Sequence, residues 1–258
     1  MITSVANQQV KQIIQLRTKA KARNTKRVFL IEGIKMLLEA PKERVEKVYA
    51  SKSFWEEASG REALEGFDTE VVEDSVFSHM ADTVTPQGVL AVVRQFSYSL
   101  DELLQKENPL FLVLETLQDP GNLGTIMRTA EGAGVTGIIL NRTSVDIYNP
   151  KTIRSTMGSI YRVPFLYADD LQEVLKKFAS CRIRTYAAHL SESVDYDRAD
   201  YTGGTAFFIG NEGNGLSDEL ASLADQYIKI PMEGRLESLN AAMAAGILMY
   251  EAYRQRRK

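Results

Sequence analysis

One cysteine, two histidines and one tryptophan are all that this chain of 258 residues holds of those types. The lone Cys181 excludes an internal disulfide framework and most cysteine-based metal sites. His79 and His189 alone cannot build a histidine-rich metal centre, so no metal is expected. No apolar run is long enough to span a bilayer, so no membrane partner is expected either. The opening MITSVANQQVKQ lacks the apolar core of a secretory signal. A soluble cytoplasmic protein is the expectation these absences leave. Hydrophobic content of 44% and charged content of 25% fit a globular chain. The length suits two modest domains or one large one.

The net charge of −3 does not by itself suggest a nucleic-acid partner, but its distribution is uneven. Lys11, Arg17, Lys19, Lys21, Arg23, Lys26, Arg27 and Lys35 face only Glu32 between residues 10 and 35, and the chain closes with Arg254, Arg256, Arg257 and Lys258. A local basic stripe can meet a polyanion even on an acidic chain. The bland alternative is a solvated helix face.

Hydrophobic spacing predicts a helix over 4–22, then a short strand at 28–31 and a helix to about Ala40. Strands follow at 45–50, 70–72 and 88–93, with a helix at 55–64. This is a small α/β domain over residues 1–98. Polar SLDELLQKEN, 99–108, reads as a linker or connecting helix before Pro109. Residues 109–258 restart the rhythm. Strands are expected at 111–114, 137–140, 162–165, 184–188, 205–209 and 226–230, with helices from Thr125 and over 171–178. Strands alternating with helices predict a mostly parallel sheet covered on both faces.

Ligands collect beyond the C-terminal ends of parallel strands, and three glycine-bearing loops fall there. In DPGNLGTIMR, residues 119–128, helix-start N–H groups can hold an anion, and Arg128 can share it. It lacks the dinucleotide G-x-G-x-x-G spacing and the Gly-Lys-Ser/Thr of a P-loop, and a plain turn with a surface arginine remains open. In GNEGNG, residues 210–215, three glycines permit close approach of a ligand, with Glu212 among them and Ser217 as cap of a following helix. In IPMEGRLESLN, residues 230–240, Ser238 is expected to cap the last helix, with Leu239 and Asn240 on its first turn. The alanines and Gly246 beyond allow close packing, as would an ordinary well-capped helix.

Taken together the loops resemble the SpoU family of RNA methyltransferases, the TrmH-like branch of the knotted SPOUT superfamily. The family's Asn-x-Gly-x-x-x-Arg stands as Asn122, Gly124 and Arg128. Its Gly-x-Glu-x-x-Gly stands as Gly210, Glu212 and Gly215. Its Ile-Pro-Met-x-Gly-x-x-x-Ser-Leu-Asn stands intact as Ile230, Pro231, Met232, Gly234, Ser238, Leu239 and Asn240. NPKTIRSTMGSIYRVP, 149–164, looks like a further family segment, with Arg154, Thr156 and Gly158 in place of Arg-x-Ser-x-Gly. KRVFLIEGIKMLLEA and TPQGVLAVV look like the family's ribosomal-protein-like substrate-binding domain.

The resemblance implies a deep trefoil knot, a homodimer with its site near the interface, and methyl transfer from S-adenosylmethionine to a ribose 2′-hydroxyl, in large-subunit ribosomal RNA by analogy. It implies catalytic roles for Arg128, Glu212, Ser238 and Asn240. Gly210, Ile230, Met232, Leu239 and Asn240 would bind the cofactor. Asn122, Arg128, Lys19, Lys21, Arg23, Lys26 and Arg27 would meet RNA. Family proposals make the arginine a general base; a guanidinium pKa above about 12 suits it better to stabilising a developing alkoxide. A transfer-RNA 2′-O-methyltransferase and a non-catalytic RNA-binding paralogue are the alternatives. Intact Arg128, Glu212, Ser238 and Asn240 speak against the paralogue.

Overall fold

The computed structural model describes residues 1–189, 193–235 and 238–257, so Lys258 lies outside the described residues, as do Leu236 and Glu237 within the third motif. By compactness the chain divides into two units, Met1–Phe96 with Asp146–Tyr161, and Ser97–Val145 with Arg162–Lys258. A contiguous division near residue 98 does not foresee that 146–161 packs with the first unit. Within the stretch read as a linker, Leu100–Leu104 forms a helix that buries Leu103.

The first unit holds β1 (Val28–Glu32), β2 (Val45–Ser51), β3 (Thr69–Val72) and β4 (Val89–Arg94), ordered β1-β4-β2-β3. β4 runs antiparallel to β1 and β2, and β2 runs parallel to β3. Helix Gln8–Thr18 buries Val10, Ile13 and Leu16, spaced three apart along one face, in a core shared with Val28, Leu30 and Val92. The single helix expected over 4–22 is two. Lys19, at φ −123° and ψ 111°, is extended and separates Gln8–Thr18 from Ala20–Lys26.

In the second unit β5 (Leu110–Leu114), β6 (Gly137–Asn141), β7 (Phe165–Ala168), β8 (Arg184–Ala188), β9 (Val194–Asp195), β10 (Thr205–Ile209) and β11 (Gln226–Lys229) form one sheet, ordered β7-β6-β5-β10-β8-β11-β9. Every pairing is parallel. LFLVL and TAFFI of β5 and β10 are buried throughout, as central strands covered on both faces require. Helix Leu171–Ser180 buries Val174, Leu175 and Phe178, and Phe178 stacks on Phe111 at 4.9 Å. β7 begins at Phe165, where the expected strand ends, because Pro164 stands immediately before it.

The chain builds β6 and β7 on one side of β5 and β8 to β11 on the other. The C-terminal ends of β5 and β10 therefore meet at a topological switch point. The last helix, Ala241–Arg256, lies against helix Pro120–Ala133 and β10, burying Ala241, Ala242, Ala245, Leu248, Met249 and Ala252. At Gly132 a Cβ would stand 2.9 Å from the Tyr250 hydroxyl, the far end of an exposed side chain that can turn aside. At Gly246 a Cβ would make ordinary contact with Thr129, at 3.7 Å, so the packing there does not demand glycine.

Candidate functional site

The helix after β5 starts at Pro120, not at Thr125. Asp119 caps it, accepting from the Asn122 N–H at 2.8 Å, with proline in the first turn where no N–H is needed. Gly121, Asn122 and Gly124 are thus helical. Arg128 lies eight residues beyond Pro120, about 12 Å along the axis. It is exposed, and its side chain has no hydrogen bond or ion pair among the described residues.

Beyond β10, Gly210 is pressed against its own loop: a Cβ there would lie 2.1 Å from the Gly215 carbonyl carbon and the Leu216 nitrogen. Asn211 and Gly215 exchange backbone hydrogen bonds at 2.9 Å, closing the loop and presenting Glu212. Its carboxylate accepts from the backbone N–H groups of Gln118 and Asp119 and from Asn122 Nδ2, each at 3.0 Å. Burial pushes the Glu212 carboxyl up. The hydrogen bonds from Asn122, Gln118 and Asp119 outweigh it and hold the group below its ordinary value.

The third loop joins the same network. Asn240 donates from Nδ2 to Asn122 Oδ1 at 3.0 Å and caps the last helix through Oδ1, which accepts from Ala242 and Met243 N–H groups. The cap is therefore Asn240, where Ser238 was expected. Asn240 ends its loop in extended geometry at φ −53° and ψ 139°, so Ser238 and Leu239 precede the helix. Ser217 does cap its short helix, accepting from the Leu220 N–H at 3.1 Å.

A cavity of about 530 Å³ opens between the second and third loops, within the range of small-ligand sites. Gly210, Glu212, Ile230, Met232, Ser238 and Leu239 all line it. Asn122, Asn240 and Arg128 do not, although the first two are bonded to its rim. Ile209, Ile228 and Leu248 supply apolar wall. His189, Asp218 and Lys229 also line it and were not foreseen; their position just after β8, in the segment after β10 and at the end of β11 was the available signal. An apolar wall beside Glu212, Asp218 and Lys229, which bring both signs of charge, fits a ligand that joins an apolar ring to an amino-acid zwitterion. Among the described residues no cluster of three or more His, Cys, Asp or Glu side chains could hold a metal ion, and no helix is long and apolar enough to cross a membrane.

The basic residues divide. Lys19, Lys21, Lys26 and Arg27 are exposed. Arg23, expected among the RNA contacts, is only 3% exposed. Its guanidinium pairs with Asp146 at 2.5 Å and donates to the carbonyls of Leu16 and Arg17, so it is spent on the fold. At the other end Arg254 pairs with Glu251 at 2.7 Å, and Arg256 donates to the carbonyls of Asn108, Tyr201 and Gly203.

A parallel sheet with a cavity beyond the C-terminal ends of β8, β10 and β11, its rim joined by carboxylate and amide groups from three loops, has the layout of a small-ligand site. The chain belongs to the SpoU rRNA methylase family, which matches residues 109–250, and residues 7–91 match an MRM3-like substrate binding domain. It is 33% identical to the 23S rRNA (guanosine(2553)-2′-O)-methyltransferase RlmP of Bacillus subtilis, over 96% of this chain and 97% of that one. An uncharacterized tRNA/rRNA methyltransferase of Synechocystis is 35% identical over 98% of this chain and 93% of its own length. Among solved structures, the SpoU methyltransferase AviRb from Streptomyces viridochromogenes with the cofactor AdoMet superimposes with a TM-score of 0.87 at 29% identity, covering 97% of this chain and 98% of that one.

Proposed function

We propose that this chain methylates a ribose 2′-hydroxyl of large-subunit ribosomal RNA, using S-adenosylmethionine as methyl donor. The observation that carries the reading is the joining of three distant loops, through Glu212, Asn122 and Asn240, at the rim of one cavity. The relative named for 2′-O-methylation of 23S rRNA supports the substrate.

The bound cofactor supplies a methyl group already activated on a sulfonium. What remains for the protein is to hold the hydroxyl in line and manage its proton. Gly210, Ile230 and Leu239 offer backbone groups to the adenine, and Met232 an apolar wall. Arg128 grips the RNA phosphate and stabilises the developing alkoxide. Asn122 and Glu212 hold the loops in register; Ser238 and Asn240 organise the reacting side. Lys19, Lys21, Lys26 and Arg27 guide the polyanion.

The enzyme acts as a cytoplasmic homodimer. Met243 and Tyr250 are 60% and 48% exposed, and their seven-residue spacing puts them on one stripe of the last helix. That stripe borders the helix carrying Arg128, which is the face offered to a second copy. A knot made by the last strands and helix is in keeping with β10 entering between β5 and β8 before the last helix returns to β10.

The test is calorimetric titration with S-adenosylmethionine, followed by transfer of tritiated methyl groups to ribosomal RNA from a strain lacking the enzyme. Recovery of the label in 2′-O-methylnucleosides supports the proposal. Binding without transfer points to the non-catalytic paralogue, and no binding overturns the reading.

A further inference from the structure

Thr116, two residues beyond β5, has its backbone in the left-handed region at φ 54°. A β-branched residue seldom adopts that conformation, and such strain persists only where the surroundings over-determine it. Here the surroundings are side chains from two other strand ends. Asn141, the last residue of β6, accepts from the Thr116 N–H at 2.8 Å and donates to its hydroxyl at 3.0 Å. The Thr143 hydroxyl stands 2.9 Å from the Thr116 hydroxyl. Asn211, beyond β10, donates to the Thr116 carbonyl at 2.8 Å. The Ser144 hydroxyl donates to Asn141 Oδ1 at 2.7 Å, which fixes the way that amide faces. All three polar groups of Thr116 are thereby engaged.

The reversal at Thr116 decides where the next peptides point. Two and three residues on, the N–H groups of Gln118 and Asp119 meet the Glu212 carboxylate. The Gln118 side chain folds back onto the carbonyls of Thr116 and Thr143, at 3.1 and 3.0 Å. Asn211, while holding Thr116, also accepts from Gly213 and Asn214 N–H groups at 2.7 and 3.2 Å, which shapes the loop that lines the cavity. Neither Thr116 nor Asn141 lines the cavity itself.

We infer that Asn141 is a positioning residue for the methyl-transfer site: it locks Thr116 in its strained turn, and that turn aims the Gln118 and Asp119 amides at Glu212 and anchors the cofactor loop through Asn211. The inference rests on the proposed cofactor role of the cavity for its binding readout, and on no function for its exchange readout.

The test is a double-mutant cycle on the full chain. Glycine adopts φ near +54° without strain, so with Thr116→Gly present the clamp is no longer required. Asn141→Ala should weaken S-adenosylmethionine binding about tenfold in the wild-type chain, and less than about threefold in the Thr116→Gly background. Amide hydrogen exchange at Gln118 and Asp119 in the cofactor-free chain should follow the same pattern, faster by about tenfold in the single variant and little changed by Asn141→Ala in the Thr116→Gly background. Equal losses in both backgrounds, or no effect of Asn141→Ala in either measurement, overturn the inference. If Asn141→Ala does not fold, Asn141→Asp keeps the acceptor and loses the donor, and carries the same comparison. A wild-type chain that fails to bind S-adenosylmethionine removes the functional reading, while the exchange data still decide the clamp.

Discussion

Replacing Glu212 by alanine separates the two loops that its carboxylate joins. Three donors lose their acceptor: two backbone N–H groups and the Asn122 amide, each at 3.0 Å. At a net value of about 0.5–1.5 kcal/mol apiece the three bonds contribute about 1.5–4.5 kcal/mol. Glu212 is exposed, and water replaces part of what is lost, so the low end applies. A loss of about 2 kcal/mol corresponds to roughly thirtyfold in the equilibrium constant for joining the loops. Methyl transfer by Glu212→Ala should therefore fall roughly thirtyfold, with the global fold unchanged by circular dichroism. Glu212→Gln should not rescue it fully, because its amide sets a donor against backbone donors. The pH dependence gives a second arm. The folded carboxyl lies below its ordinary value of 4.5, so its stabilisation is complete above that pH and is lost as pH falls through the lower folded value. The stability gap between wild type and Glu212→Gln should close on acidification below about pH 4.5. Turnover of Glu212→Ala within twofold of wild type would refute the reasoning, as would a gap that widens in acid.

Three further outcomes are expected. Arg128→Ala should lower turnover by at least about a hundredfold, as removing a transition-state charge donor does, while calorimetry shows cofactor affinity nearly unchanged. Arg23→Ala should cost about 3 kcal/mol by stranding Asp146, lowering the thermal midpoint by about 5–10 °C; Lys21→Ala and Lys26→Ala should leave the midpoint alone and reduce the salt slope of RNA binding by about 0.7–0.9 each. Gly210→Ala should abolish cofactor binding in the same titration, because its methyl would lie 2.1 Å from backbone that cannot move without opening the loop.

Much of the site was legible because turn chemistry is local. Gly210, Gly215, Pro231 and Gly234 announce loops at strand ends, and hydrophobic runs such as LFLVL and TAFFI announce buried strands. The bonds that make one site of three loops are not local. Glu212 reaches Asn122 across 90 residues and Asn240 reaches it across 118, distances at which no spacing rule operates. Asp119-Pro120 was a readable helix start, yet Gly121 and Gly124 invited a loop. Arg23 and Arg256 show why charge alone misleads: a guanidinium has five donors and can be buried where carbonyls or a carboxylate meet them. Thr116 carries no outward sign of its left-handed turn, since the residues that hold it come from β6 and β10.

The central claim is that these three loops build one ribose-methylating site. Mass-spectrometric mapping of 2′-O-methyl marks in ribosomal RNA from a deletion strain tests it most directly. A single mark should be missing from large-subunit RNA, restored by the wild-type chain and not by Arg128→Ala. An unchanged set of marks, or restoration by the arginine variant at full level, would contradict it.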